Sequence, residues 1–485
     1  TLPPTPLGNW TFWAEFRACD NLQAVYWFYN ITGEAFLLDL GNLLHEQSFN
    51  FIDMFLNRDH LTRFNSIHCV NLAQGLKEPV IYYQQKPEKS YIDAVKKGLA
   101  DIRKYNGQPQ GMFGGDEGLH GNNPTQGSEL CSAVELMYSL EKMMEITGDL
   151  TFTDHLERIA FNALPTQITD DFMNKQYFQQ ANQIMITRHP HNFYEDAHHA
   201  ATDIIYGTRT GYPCCFSNMH QAWPKFTQSL WYATPDKGIA ALAYSPSEVV
   251  AQVGDGHEIS IIEDTYYPMD DKIRFTIRLS NSVKEVTFPF HLRIPEWCKG
   301  AAVTINGITD SINGGSDMAI LHRPWKDGDQ VILSLPMKVE SSRWYENSVA
   351  IERGPLVYAL KMEERWMKKE FVGKERNQFG FDYYEVSSPT KWNYGILSAT
   401  IEDLEKNSQV TIDPDKQSCD YFWNVRNAPI QIKLKAKEMT SWRIYNEMTG
   451  PLPFSTSKSE QPEEEIVLVP YGCTTLRISE FPVVR

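Results

Sequence analysis

A chain of 485 residues is too long for a single hydrophobic core, so roughly two to four domains are expected. Its apolar share of 42% and charged share of 22% are ordinary for a globular protein, and no apolar run approaches the ~20 residues of a membrane-spanning helix. A formal charge of −16 excludes nucleic acid and anionic membranes as default partners and weakens the case for a polyuronate groove, because such binding needs clustered Lys and Arg.

The first half reads as helical. A predicted helix over residues 22–29 leads to Ile31-Thr32-Gly33-Glu34, and another follows over 36–44. The loop Gly114-Gly115-Asp116-Glu117-Gly118-Leu119-His120-Gly121-Asn122 comes next. It holds two carboxylates and a His, the raw material for a general acid/base, although a solvated acidic turn has the same composition. Gly127-Ser128-Glu129-Leu130-Cys131 then opens a strong helix. Ser128 is expected as its N-cap, with Glu129 and Cys131 in the first turn, where free N–H groups favour a carboxylate and a thiolate. Ala133, Leu136, Leu140 and Met144 keep helical spacing, as do Leu156, Ile159, Ala163 and Leu164. Between these helices, Ile146-Thr147-Gly148-Asp149 repeats the Gly stop and polar restart seen at Gly33. Two matching helix–Gly–helix hairpins point to a layered αα array or toroid rather than one bundle.

Glu195, Asp196, His198 and His199 match no standard metal spacing and are expected at the surface or as supporting residues. Tyr212-Pro213-Cys214-Cys215-Phe216-Ser217-Asn218 is more telling. Adjacent cysteines diverge in a regular strand or helix, so an irregular turn is expected here, supplied by Gly211 and Pro213. Zinc takes four ligands from Cys, His and carboxylate, and this doublet with Glu129 and Cys131 completes such a set; a packed Cys pair is the alternative. A fully ligated zinc is usually structural, but a ligand thiolate could also act as a nucleophile if its bond to the metal loosens. The other five cysteines, Cys19, Cys69, Cys298, Cys419 and Cys473, are scattered and read as small buried hydrophobes.

Near Trp231 the pattern changes to strands. Ile273, Phe275, Ile277 and Leu279 alternate with Arg274, Thr276 and Arg278. Residues 286–294, 331–335, 356–360 and 430–434 also read as strands, with turn signals at Asn306-Gly307, Gly314-Gly315 and Asp327-Gly328-Asp329. Helices followed by strands predict α+β in segregated domains: a helical domain over 1–235, a β-sandwich over 236–345 and a second over 346–485. The 12 Trp and 23 Tyr are numerous enough to provide sugar-stacking platforms as well as core.

Together these pieces resemble glycoside hydrolase family 127, the β-L-arabinofuranosidases, and its relative family 146. The resemblance rests on Glu129-x-Cys131, the Cys214-Cys215 doublet with Asn218, the Gly-Gly-Asp-Glu loop, and His68 in Ile67-His68-Cys69-Val70-Asn71. Leu292-Arg293-Ile294-Pro295-Glu296-Trp297-Cys298, Arg323-Pro324-Trp325 before Gly328-Asp329, and Arg353-Gly354-Pro355-Leu356-Val357-Tyr358 add to it. It implies an (α/α)6-barrel catalytic domain followed by antiparallel β-sandwich domains. Since periodicity gives only about eight helix candidates, the N-terminal part of that barrel is expected to be incomplete. The resemblance also implies zinc held by Glu129, Cys131, Cys214 and Cys215, with Cys214 as nucleophile. Glu117 matches the acid/base, Asp116 is its fallback, and His68 corresponds to a sugar-contacting His. The family pattern has Pro after the doublet where this chain has Phe216-Ser217, which bears on the substrate subtype.

The expected activity is that of a retaining exo-glycosidase acting on terminal β-L-arabinofuranosides, or a related furanoside, of plant-type oligo- or polysaccharides. A periplasmic or secreted location is favoured. Two alternatives are weighed against it: a polysaccharide lyase of helical-toroid type, and a non-catalytic carbohydrate-binding protein with a structural zinc.

Overall fold

The computed structural model describes residues 6–9, 12–62, 67–191, 193–194, 199–280, 283–312 and 317–485. Glu195, Asp196 and His198 and the Gly314-Gly315 turn lie outside the described residues.

Helices dominate as far as Gln228 and strands thereafter, the α+β order expected from the sequence. Both helix hairpins are present. The Ala18–Thr32 helix ends at Gly33, at φ 68°, whose N–H bonds Tyr29 O at 2.8 Å. The Leu130–Thr147 helix ends in the same way at Gly148, at φ 68°, and Asp149 then caps the Leu150–Arg158 helix by accepting Thr151 N at 3.1 Å. The Leu130–Thr147 helix is buried on nearly every side, and the Cys69–Gly75 and Cys214–Gln228 helices pack against it. A helix so enclosed belongs at the centre of a domain.

The helix predicted through Leu164 changes character part-way. Regular α-helix stops at Arg158, a wider π turn covers Ile159–Ala163, and a 3-10 turn covers Leu164–Gln167. Asn162 accounts for the change. Its amide donates to Arg158 O at 2.8 Å and Pro355 O at 2.9 Å and accepts Val357 N at 2.8 Å, so the π turn turns that side chain into a clamp on the Leu356–Leu360 strand.

A small sheet sits among the helices, in the order Leu119–Gly121, Gly114–Gly115, Ser128–Glu129, Phe178–Gln179. It overturns the N-cap expected at Ser128. That residue is a strand residue paired with Gly115 and Gln179, and its hydroxyl lies between Phe113 O at 2.8 Å and Gln108 Oε1 at 2.9 Å. Backbone pairing on both sides leaves Ser128 no freedom to fold back on the helix. The extended Glu129 takes the cap position without a capping bond, so of the pair only Cys131 lies in the first turn.

Beyond Trp231, a six-stranded and a four-stranded sheet face one another. Phe275 of the first meets Trp231 and Phe290 of the second, with ring centroids 5.8 and 5.2 Å apart. The predicted alternation holds: Ile273, Phe275, Ile277 and Leu279 are buried. The sheets are not purely antiparallel, since Ile239–Ala241 runs parallel to Val286–Ile294. Strands of the other sheet intervene in sequence, and that excursion is the crossover a parallel pair needs. An eight-stranded sheet follows, also with one parallel pair, Tyr394–Leu397 beside Val483–Val484.

Buried charge ties these parts together. Arg293, fully buried, pairs with Asp154 at 2.6 Å and Glu157 at 2.5 Å, and Arg158 grips Glu352 at 2.5 and 3.0 Å. One helix, Leu150–Arg158, is thereby pinned to both β regions. Removing one partner from such a pair strands a buried charge, at a cost of about 3–5 kcal/mol.

Candidate active site

Two helix N-termini converge beside the small sheet. Cys131 enters from the first turn of the Leu130–Thr147 helix, and Cys214 and Cys215 open the Cys214–Gln228 helix. The doublet therefore sits at a helix start rather than in the irregular turn expected for it. Both side chains can converge there because the first turn lacks preceding backbone, and its free N–H groups favour thiolate. Cys131 Sγ lies 3.1 Å from Cys215 Sγ and 3.4 Å from Cys214 Sγ, and the doublet sulfurs are 4.0 Å apart. Glu129 Oε1 lies 3.6 Å from Cys215 Sγ and 3.8 Å from Cys214 Sγ. One ligand atom from each of the four residues falls within 4.8 Å of the others. Sulfurs on a common zinc, with bonds of about 2.3 Å, have separations of this size. The group can hold a metal ion.

The electrostatics are uneven. Hydrogen bonds from the Cys131 and Cys215 thiols, with help from Lys175, push the Cys214 thiol down to about 3. Donation to Cys214 pushes Cys131 up, and burial does the same for Cys215 and Glu129. Cys214 is also the one exposed member of the group. No local motif marks Lys175. It is fully buried, and its Nζ donates to Thr210 O and, at 2.9 Å, to Tyr212 O, just before the doublet. This ammonium acts on all four acidic members of the cluster.

The acidic loop forms the next wall. Gly115, at φ 150°, makes its tight return, and a Cβ there would sit 2.4 Å from Gly118 O and 2.4 Å from Cys69 Sγ. Asp116 and Glu117 consequently diverge. Asp116 is buried against His120, with Oδ1 3.1 Å from Nε2. Glu117 is largely exposed, and its Oε1 lies 3.6 Å from His68 Nε2. Burial, then Asp116, holds the Glu117 carboxyl above the usual carboxylate range, against the opposing influence of His199, and Cys214 adds to the rise. His68 caps the Cys69–Gly75 helix through Nδ1, stands edge-on to Trp13 with centroids 4.7 Å apart, and is pushed down to about 4, first by burial and then by Arg17. The structure thus brings Glu117, His68 and Cys214 within one another's electrostatic reach and sets Asp116 behind them.

Of the two places expected for His199, the structure gives the supporting one. Its Nδ1 lies 2.6 Å from the buried Asp203, and its ring stands 4.9 Å from that of Tyr177. The positive-φ run at residues 199–201 presents it toward Glu117, a conformation that no sequence periodicity announces.

Comparison with known proteins identifies the family. The model of the β-L-arabinofuranosidase GH127 catalytic domain matches residues 13–228, and that of the GH127 middle domain matches residues 238–337. The chain belongs to glycoside hydrolase family 127. Within the family, it is 26% identical over 249 residues to a non-reducing end β-L-arabinofuranosidase of Bifidobacterium longum subsp. longum, a match over 49% of this chain and 36% of that enzyme's length. The fold is similar to that of a GH127 β-L-arabinofuranosidase from Geobacillus stearothermophilus T6, with a TM-score of 0.64 and 18% identity over 96% of this chain and 72% of the other. A GH127 β-arabinofuranosidase structure matches with a TM-score of 0.67 and 17% identity over 95% and 68% of the two chains. Membership of a hydrolase family replaces the polysaccharide-lyase alternative.

Proposed function

We propose that this family 127 chain is a retaining exo-furanosidase that releases terminal β-L-arabinofuranosyl groups, or a close relative, from plant-type oligo- or polysaccharides. One observation carries the reading: Cys214, the exposed and thiolate-favouring member of the cluster, lies in electrostatic reach of Glu117, a carboxyl disposed to keep its proton. Cys214 Sγ attacks the anomeric carbon while the bond to the leaving oxygen breaks and Glu117 gives that oxygen its proton. The resulting thioglycoside is opened by water, which loses a proton to the Glu117 carboxylate as the C–S bond breaks, so configuration is retained. His68 contacts the sugar, and its Nε2, 3.6 Å from Glu117 Oε1, helps to orient that carboxyl.

The residues present fit a zinc ion. Three thiols and one carboxylate complete a tetrahedral donor set, and the buried Glu129 Oε2 has no hydrogen-bond partner among the described residues. Glu129, Cys131, Cys214 and Cys215 would hold it, and bound zinc supplies the charge that keeps a thiolate deprotonated near neutral pH. The proposal extends to the architecture, in which the helical region is part of an (α/α)6 barrel and the facing sheets are β-sandwiches, with limits near residues 235 and 345. A periplasmic or secreted setting, where plant glycans are met, accompanies it.

The test is covalent labelling by a slow furanosyl epoxide shaped like the substrate, with the adduct mapped by mass spectrometry. Label on Cys214 is expected. Label on Glu117 or Glu129 would mean a carboxylate nucleophile, and label on Cys215 would reverse the assignment within the doublet. No label and no turnover of aryl pentofuranosides would leave a carbohydrate-binding protein with a structural metal.

A further inference from the structure

A cleft of about 1160 Å³ lies apart from the thiol cluster and shares no lining residue with it. Its walls are residues 165–174, the Arg365–Glu370 and Asp382–Ser387 strands, and the segments 421–427 and 472–475. Four aromatic side chains line it: Trp366, 41% exposed, and the half-buried Tyr384, Tyr421 and Trp423.

These rings are held in place. The Trp366 indole rests beside the buried Tyr206, with centroids 5.3 Å apart, and donates from Nε1 to Glu364 Oε2 at 3.2 Å. The other oxygen of Glu364 accepts Thr475 N at 2.7 Å and Leu476 N at 3.2 Å, which anchors that carboxylate in turn. Trp423 lies nearly parallel to Phe161, at 7° and 6.2 Å. Asn424 Nδ2 reaches across to Asp170 Oδ2 at 2.9 Å, so a polar bridge joins two walls.

Fixed, partly exposed rings beside amides and carboxylates suit a sugar, whose C–H face packs on an aromatic ring while its hydroxyls bond to the polar groups. The volume exceeds the ~300–1,000 Å³ of common small-ligand pockets, room for several sugar units. The lining carboxylates Asp170, Asp171, Glu363 and Glu364 outnumber Lys361 and Arg426, which disfavours uronates and phosphates. We propose that this cleft is a second, non-catalytic binding site for a neutral oligosaccharide chain. Such a site holds a polymer near the chain while ends are cropped elsewhere. The inference does not depend on the catalytic reading and would stand if the thiol cluster were inert.

Affinity electrophoresis of the full chain through gels containing linear arabinan, xylan, β-glucan or polygalacturonate tests it. Retardation by at least one neutral glycan and none by polygalacturonate is expected. Trp366→Ala and Asn424→Ala should each weaken that retention about tenfold, the weight of an aromatic or polar contact, with aryl furanoside hydrolysis unchanged. Should Trp366→Ala lose its cooperative melting transition, Asn424→Ala decides the matter. No retardation by any neutral glycan overturns the proposal, as does equal retention of wild type and variants, or stronger retention by polygalacturonate. A dimer in solution that Trp366→Ala dissociates, without glycan retention, overturns it in favour of self-association.

Discussion

His68 performs two jobs with one ring, and a pair of substitutions separates them. Nδ1 accepts the Asn71 N–H at 3.2 Å and caps the Cys69–Gly75 helix, while Nε2 lies 3.6 Å from Glu117 Oε1. An acceptor at Nδ1 places the ring proton on Nε2, and burial pushes the imidazolium form down to about 4, so the ring is a neutral donor through the working range. His68→Asn keeps a good cap but cannot reach Glu117; His68→Ala loses both contacts. Loss of packing on Trp13 is common to both variants and cancels in their difference. The Ala variant should therefore be less stable than the Asn variant by about 1 kcal/mol, the value of a cap. For Glu117 the sign runs upward. The donor favours the carboxylate, so its removal favours the protonated form and moves the basic limb of kcat/KM to higher pH. A full hydrogen bond is worth about one pH unit. Because Glu117 is 62% exposed and the contact is long, screening leaves a smaller upward move. Melting curves and a pH series on an aryl furanoside read out the two effects. A basic limb that stays in place or moves down would refute the donor role, and equal instability of the two variants would refute the cap.

Glu117→Gln should abolish most activity on sugar leaving groups but spare some on nitrophenyl furanosides, whose departure needs little protonation; near wild-type rates on natural glycosides would clear Glu117. Elemental analysis of protein purified without chelator should find one metal ion per chain, and Cys131→Ser should lose most of it, since a hydroxyl is a poor substitute for thiolate; undiminished metal in the variant would remove Cys131 from the site. Glu480, fully buried, is raised to about 8, first by burial, so the folded state keeps a proton that the unfolded chain sheds above 4.5, and stability falls as pH climbs from there toward 8. Glu480→Gln should relieve this loss by up to ~3 kcal/mol at pH 7 and change little near pH 4; denaturant titrations showing equal gains at both pH values would refute the linkage.

What could be read in advance follows from how far each signal extends along the chain. A strand with one buried face announces itself by alternation, as Ile273, Phe275, Ile277 and Leu279 do, whereas Val286–Ile294 and Leu356–Leu360, buried on both faces, are legible as short apolar, β-branched and aromatic runs. Gly33 and Gly148 were legible because a left-handed helix stop is a local event. The grouping of Glu129, Cys131, Cys214 and Cys215 was legible for a different reason: each pair alone has a bland reading, and only their combination, through the family resemblance, pointed to one cluster. Ser128 misled because a cap and a strand residue look alike until the partner strands, Gly115 and Gln179, are known. The doublet misled in the opposite direction. The divergence rule for adjacent side chains holds within a helix but weakens at its first turn, and the chain exploits that end. Lys175 had no signal, since it owes its place to packing against the distant segment 210–212, and His120 and His199 were visible as residues without any sign of their pairing to Asp116 and Asp203. These residues decide the charge of the site. A buried ammonium against three thiols and a carboxylate lowers the cost of gathering anions at one point, while burial and then Asp116 raise the Glu117 carboxyl. The loop therefore separates its two carboxyls by depth, Asp116 turned inward against His120 and Glu117 outward beside His68.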